Sequence, residues 1–182
     1  MKMAKYCLVY VLEGKAKKYH LELSKRISKT FKVSNPSKRV APHITLKYLG
    51  EIKKENISNL KNKIEEISKQ IEKFNIQLEG INNFEKEVIF IDVKKTKKLM
   101  NNYLKIYSEI TKLNFIQKIP QFEGRNVHFH ATLCAHDIKN KFDEIMKYLS
   151  EEKPKYKASF NNLVLKKKIK NIWKPIKMWK LT

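Results

Sequence analysis

Two short segments, His43-Ile44-Thr45-Leu46 and His130-Ala131-Thr132-Leu133, repeat the pattern His-x-Thr-Leu far apart in the chain. Each falls at the same point in a repeated order of elements, on the strand that follows a helix. That coincidence constrains the fold more than any other feature, because it asks for two similar halves. In a strand, residues two apart share a face. His43 therefore projects with Thr45, and His130 with Thr132. If two lobes meet about a pseudo-twofold axis, the two pairs face each other across a cleft.

The hydrophobic pattern supplies the elements. Residues 5–12 alternate and are rich in Tyr, Val and Leu, which predicts a strand. Tyr19, Leu23, Ile27 and Phe31 give a helical stripe over 16–31. A strand over 43–49, closed by Gly50, leads to a second helix over 55–71 with Ile57, Leu60, Ile64, Ile67 and Ile71 on one side. Strands are expected at 74–78 and 88–93. The order then restarts: a helix over 96–113, a loop with Pro120 and Gly124, a strand over 127–134 and a short helix over 140–149. Two basic strands, 156–165 and 172–181, end the chain. No Gly-, Ser- or Pro-rich linker divides it. The expectation is one α+β domain, 1–182, of two lobes: about 1–90 and about 91–182, each a mainly antiparallel sheet covered by helices.

Two histidines and two hydroxyls so placed suit displacement at phosphorus. One group must take a proton from the attacking oxygen and another must give one to the leaving oxygen. An imidazole does either near neutral pH. Threonine hydroxyls can donate to the non-bridging oxygens, where charge builds. This needs no metal or cofactor, and the sequence offers no metal motif.

Composition limits the partners. The 182 residues carry a formal charge of +22, with 40 basic side chains, of which only Arg26, Arg39 and Arg125 are arginines. The Lys, Asn and Ile bias is what an A+T-rich genome produces, so much of the charge can be solvated surface. It still attracts polyanions. No apolar run is long enough to span a bilayer. Lysines and an apolar stretch at the start resemble a signal peptide, but Glu13 and the lack of a small-x-small site favour a first strand. Cys7 and Cys134 make no disulfide framework, which favours a reducing compartment. The expected setting is the cytoplasm (a host cell's if the source is viral), and the expected state a monomer with no membrane partner.

Secondary site candidates follow from position. Lys47 and Cys134 continue the two motif faces; Lys47 could reach phosphate or simply be solvated, and Cys134 reads as a small buried residue. His128 could contact substrate, hold His130 in place or pack. Arg39 and Arg125 stand just before the two motifs, where arginine's planar fork suits phosphate. His20 and His136 lie outside the motifs and read as surface residues. Trp173 and Trp179 read as packing residues.

With PHITLKYLG at 42–50, HFHATLC at 128–134 and this order of elements, nearly the whole chain resembles the two-histidine (2H) phosphoesterase superfamily, which includes 2′–5′ RNA ligase-like proteins and cyclic phosphodiesterases. EGKAKKYH at 13–20 is similar to the small 2′–5′ RNA ligase-like branch. The resemblance implies a bilobal fold and metal-independent action on 2′,3′-cyclic phosphates or 2′–5′ bonds. It implies catalytic roles for His43, Thr45, His130 and Thr132. The substrates it suggests are an RNA end, a 2′–5′ oligonucleotide or a cyclic dinucleotide. The alternatives are a nucleotide-binding module of the same fold without turnover, and a general RNA-binding protein.

Overall fold

In the computed structural model, which describes residues 3–170 and 172–182, the first alternation forms β1 (Met3–Val11) and the first helical stripe forms α1 (Gly14–Phe31). β2 (His43–Lys53) is longer than its apolar pattern. It runs on through Gly50, whose φ of 81° makes a left-handed kink. A Cβ there would meet the Gln117 side chain at 2.7 Å, so the close crossing of that loop requires glycine. α2 (Ile57–Ser68) follows, β3 (Phe74–Phe84) runs six residues beyond the expected 74–78, and β4 (Val88–Val93) and α3 (Lys97–Thr111) form where the pattern predicts. Thr96 caps α3, its hydroxyl accepting from the Leu99 N–H at 3.2 Å. The strand expected from residue 127 begins only at His130: β5 is His130–Ala135, and α4 is Phe142–Leu149.

The expected strand over 156–165 is two strands, β6 (Lys155–Phe160) and β7 (Asn162–Ile169), followed by β8 (Ile172–Lys180). The break falls at Asn161. Asn162 then turns inward, its side chain accepting from the Val11 N–H and donating to the Val11 carbonyl, both at 3.0 Å. Paired asparagines offer the backbone an alternative to continued pairing.

Among the described residues all pairings are antiparallel, in sheets of order β2-β1-β7-β8 and β5-β4-β3-β6. The fold is the expected bilobal α+β arrangement. The lobe boundaries near residue 90 need correction. β3, from the first half, belongs to the second sheet, and β7 and β8, from the second half, complete the first. The helices cross over too. α1 joins two strands of the first sheet yet packs on β5 and β6, while α3 joins two strands of the second yet lies against β2 and α2. One continuous apolar cluster holds side chains from both sheets and all four helices, with Leu8, Leu23, Leu60, Ile106, Leu133 and Leu163 among its most buried members. Burial of each such side chain favours folding by roughly 1.5–3 kcal/mol. Tyr10 ties the sheets, stacking on Phe160 with centroids 4.8 Å apart and donating its hydroxyl to the Ser159 carbonyl at 2.8 Å.

The other face of the first sheet has its own small cluster of Cys7, Val9 and Val164, with Val11, Tyr48 and Trp173 around it. Trp173 meets Tyr48 edge-on, while Trp179 is buried in the main core. Among the described residues, no helix is long and apolar enough to cross a membrane.

Candidate active site

β2 and β5 are each the outer strand of their sheet, and they adjoin. The register places the motifs alike. His43 lies opposite Val11 and Thr45 opposite Val9; then the register slips and Lys47 lies opposite Leu8. His130 lies opposite Asp92 and Thr132 opposite Phe90; then it slips and Cys134 lies opposite Ile89. Each His-x-Thr is thus followed by a bulge at its leucine, Leu46 or Leu133. A bulge adds one residue to a strand and reverses the alternation beyond it.

Those bulges correct two expectations. Neither Lys47 nor Cys134 continues its motif face; both turn to the core side. Lys47 is 1% exposed. Its ammonium is ion-paired with Glu123 and donates to the carbonyls of Tyr48 and Gln117. Lys47 is a tether between β2 and the loop before β5, with no free donor for a phosphate. Glu123 completes that tether by accepting from the Ile119 N–H at 3.0 Å. Cys134 is buried, as expected, and burial pushes its thiol up to about 12.

The two rings are held identically. His43 Nδ1 is 2.8 Å from the Ala41 carbonyl, and His130 Nδ1 is 2.8 Å from the His128 carbonyl, each two residues upstream. A carbonyl only accepts, so each Nδ1 carries the hydrogen. In the neutral ring, Nε2 is then left with its lone pair free. Both rings are half-buried, Thr132 is half-buried and Thr45 is exposed.

Their surroundings differ. Burial, then the charge of Lys166, lowers His43 to about 3, and the charge of His130 is a smaller contribution in the same direction. His130 is also lowered, mainly by burial and then by the charge of His128, against the opposing pull of its carbonyl bond and of Asp92. Phe84 meets His130 edge-on at 5.0 Å, and Phe90 lies at 5.0 Å. Both rings are therefore neutral near pH 7 in the unliganded protein, and a bound phosphate anion favours protonation of either.

His128 holds His130 through its carbonyl, while its own exposed ring contacts Asp92 Oδ1 at 2.9 Å and Phe84 edge-on at 5.2 Å. A pocket of about 350 Å³ beside it is lined by His128, Asp92, Lys94, Lys95 and Phe129. Arg39 and Arg125 are exposed on the loops leading into the motif strands, and neither guanidinium has a hydrogen bond or ion pair among the described residues. Among the described residues, no three His, Cys, Asp or Glu side chains are grouped to hold a metal ion.

Three residues escape the sequence reading: His20, Ser24 and Lys166. His20 is not a surface residue: it is 1% exposed, and its Nε2 lies 2.8 Å from the Thr132 carbonyl. Ser24, one turn on, donates to the Leu133 carbonyl at 2.9 Å. Together they tie α1 to the outer edge of β5. Burial lowers His20 to about 4. Its spacing with Ala16, Leu23, Ser24 and Ile27 on the inner face of α1 is the signal that could have found it. Lys166, on β7, is 2% exposed, and its ammonium has no hydrogen-bond partner among the described residues. Its setting in a basic strand hides it. His136 is exposed, as expected.

A family model described as the 2′-5′ RNA ligase superfamily matches residues 21–171. A protein of Archaeoglobus fulgidus named RNA 2′,3′-cyclic phosphodiesterase is 30% identical over 117 residues, 60% of this chain and 61% of that protein. The chain thus spans about three fifths of that relative's length. A protein of the same name from Aquifex aeolicus is 28% identical over 144 residues, 72% of this chain and 73% of the relative. Among solved structures, LigT of Escherichia coli complexed with NADP+ matches with a TM-score of 0.67 at 15% identity, over 100% of this chain and 99% of LigT. A structure from Thermus thermophilus matches at 0.65 and 14% identity, over 97% of each chain. At such identities the likeness is one of fold.

Proposed function

The chain belongs to the 2′-5′ RNA ligase superfamily, and from that premise we propose that it is a phosphodiesterase that opens 2′,3′-cyclic phosphate ends of RNA with His43 and His130 as its acid–base pair. The observation that carries this reading is the matched pair of motif strands. On each, Nδ1 is fixed to a carbonyl two residues back and Nε2 is left free. The names of the two relatives favour the cyclic phosphate over a 2′–5′ bond.

In the reaction, one neutral imidazole takes a proton from water as the water oxygen bonds to phosphorus. The bond from phosphorus to one ribose oxygen breaks, and the other imidazole, protonated, gives its proton to that oxygen. The product is a ribose monophosphate, and the two histidines have exchanged protonation states. Thr45 and Thr132 donate to the non-bridging oxygens as charge grows there. Both proton transfers and the charge stabilisation come from protein side chains, so the reaction proceeds without a metal ion.

A substrate panel in the presence of EDTA tests this. The protein is given an RNA ending in a 2′,3′-cyclic phosphate, a 2′–5′ dinucleotide and a 2′–5′-linked cyclic dinucleotide. The cyclic-phosphate end is expected to be opened fastest. Cleavage confined to a 2′–5′ bond would redirect the function to 2′–5′-linked nucleotides, and binding without turnover would make the chain a binding module.

A further inference from the structure

Among the described residues Lys166 is buried without a partner, in a chain whose other lysines mostly stand in water. An unpaired buried ammonium is costly, and burial lowers this one to about 8. Its neighbour in the register, Cys7, supplies no countercharge, because burial pushes that thiol up to about 12.

The register shows which way Lys166 points. On β7, Leu163 and Leu165 enter the main core, so Val164 and Lys166 take the opposite face. Across β1, Val9 pairs with Val164 on one side and Thr45 on the other. Cys7 pairs likewise with Lys166 and Tyr48, and Val11 pairs with His43. Lys166 therefore stands on the face that carries His43 and Thr45, and its charge is felt at His43. In the second sheet, Phe90 pairs with Thr132 and Asn82, and Val88 pairs with Phe84. The position corresponding to Lys166 is thus Phe84. A fixed cation stands on one half of the cleft and an aromatic ring on the other.

We propose that Lys166 is an anion-binding residue of the cleft, donating to a non-bridging oxygen of the phosphate that His43 and Thr45 also meet. The proposal rests on the reading of the cleft as a phosphodiester site.

The test uses the full chain and inorganic phosphate, with Lys166→Met to keep the side chain's bulk and remove its charge. Phosphate affinity is measured by calorimetry and the two histidines are titrated by NMR. Losing a charge-assisted hydrogen bond should weaken phosphate binding by roughly tenfold or more. The His43 titration should move up while His130 stays, and thermal stability should hold or rise, because a buried charge has gone. The proposal is overturned if the folded variant binds phosphate within about twofold of the unaltered protein, or if the unaltered protein binds no phosphate. Turnover of a cyclic-phosphate RNA is followed in parallel. Lys166-dependent phosphate binding without turnover would sink the phosphodiesterase reading and leave the anion site standing.

Discussion

The two halves of the cleft share a framework and differ in what surrounds it. Each offers a His-x-Thr on an outer strand, a bulge at the next leucine and a ring fixed by the carbonyl two residues back. The face that carries His43 holds Val9, Val11, Val164, the Tyr48–Trp173 pair and Lys166; around His130 stand Phe84, Phe90 and the Asp92–His128 contact. The outer edges are tied differently as well, β2 by the buried Lys47–Glu123 pair and β5 by His20 and Ser24. Repetition places the two imidazoles alike, and their neighbours give them unequal surroundings.

The largest effect tests what the halves share. His43→Ala and His130→Ala should each lower turnover of a cyclic-phosphate RNA by roughly 10²–10⁴. The loss in the double variant should be far smaller than the product of the two, because the residues act as a unit. A single variant with a near-normal rate would leave only one half catalytic.

The next concerns the tether of β2. Glu123→Ala strands a buried lysine and should cost about 3–5 kcal/mol in denaturant unfolding. Adding Lys47→Met should recover most of that. A loss under about 1 kcal/mol would mean that Lys47 reaches water once unpaired, and that β2 is held by other contacts.

The tether of β5 gives the smallest effect, read against pH. His20 is lowered in the folded chain to about 4, so the unfolded chain binds its proton more tightly. Its stabilisation is full above about pH 6.5 and is lost as pH falls toward 4, by up to about 3 kcal/mol. His20→Gln can keep a donor for the Thr132 carbonyl while removing the titration. It should flatten the fall in stability over that window. An unchanged slope would assign the acid lability to other groups, His43 and His130 first.

The parts of this design that are legible in the sequence are those with short-range periodicity. The two motifs, the helical stripes of α1, α2 and α3, and the repeated order all follow from spacings of two and of three to four. Register and topology are hidden. Nothing in PHITLKYLG marks the bulge at Leu46, so Lys47 reads as part of the motif face when it belongs to the core side. The apolar pattern of 156–165 runs through Asn161, so it reads as one strand where the chain changes sheets. That change moves β7 and β8 back to the first sheet and sets Lys166 near His43. Lys166 itself is indistinguishable in the sequence from the solvated lysines around it, since burial depends on which strands lie beside it.

The division of labour between the halves is the central claim, and a cyclic phosphorothiolate, with sulfur in place of the leaving ribose oxygen, tests it most directly. Sulfur departs without needing a proton, so a variant that lacks only the acid regains rate on it. One of His43→Ala and His130→Ala should be largely rescued on this substrate while the other stays slow. Equal rescue of both, or of neither, would contradict it.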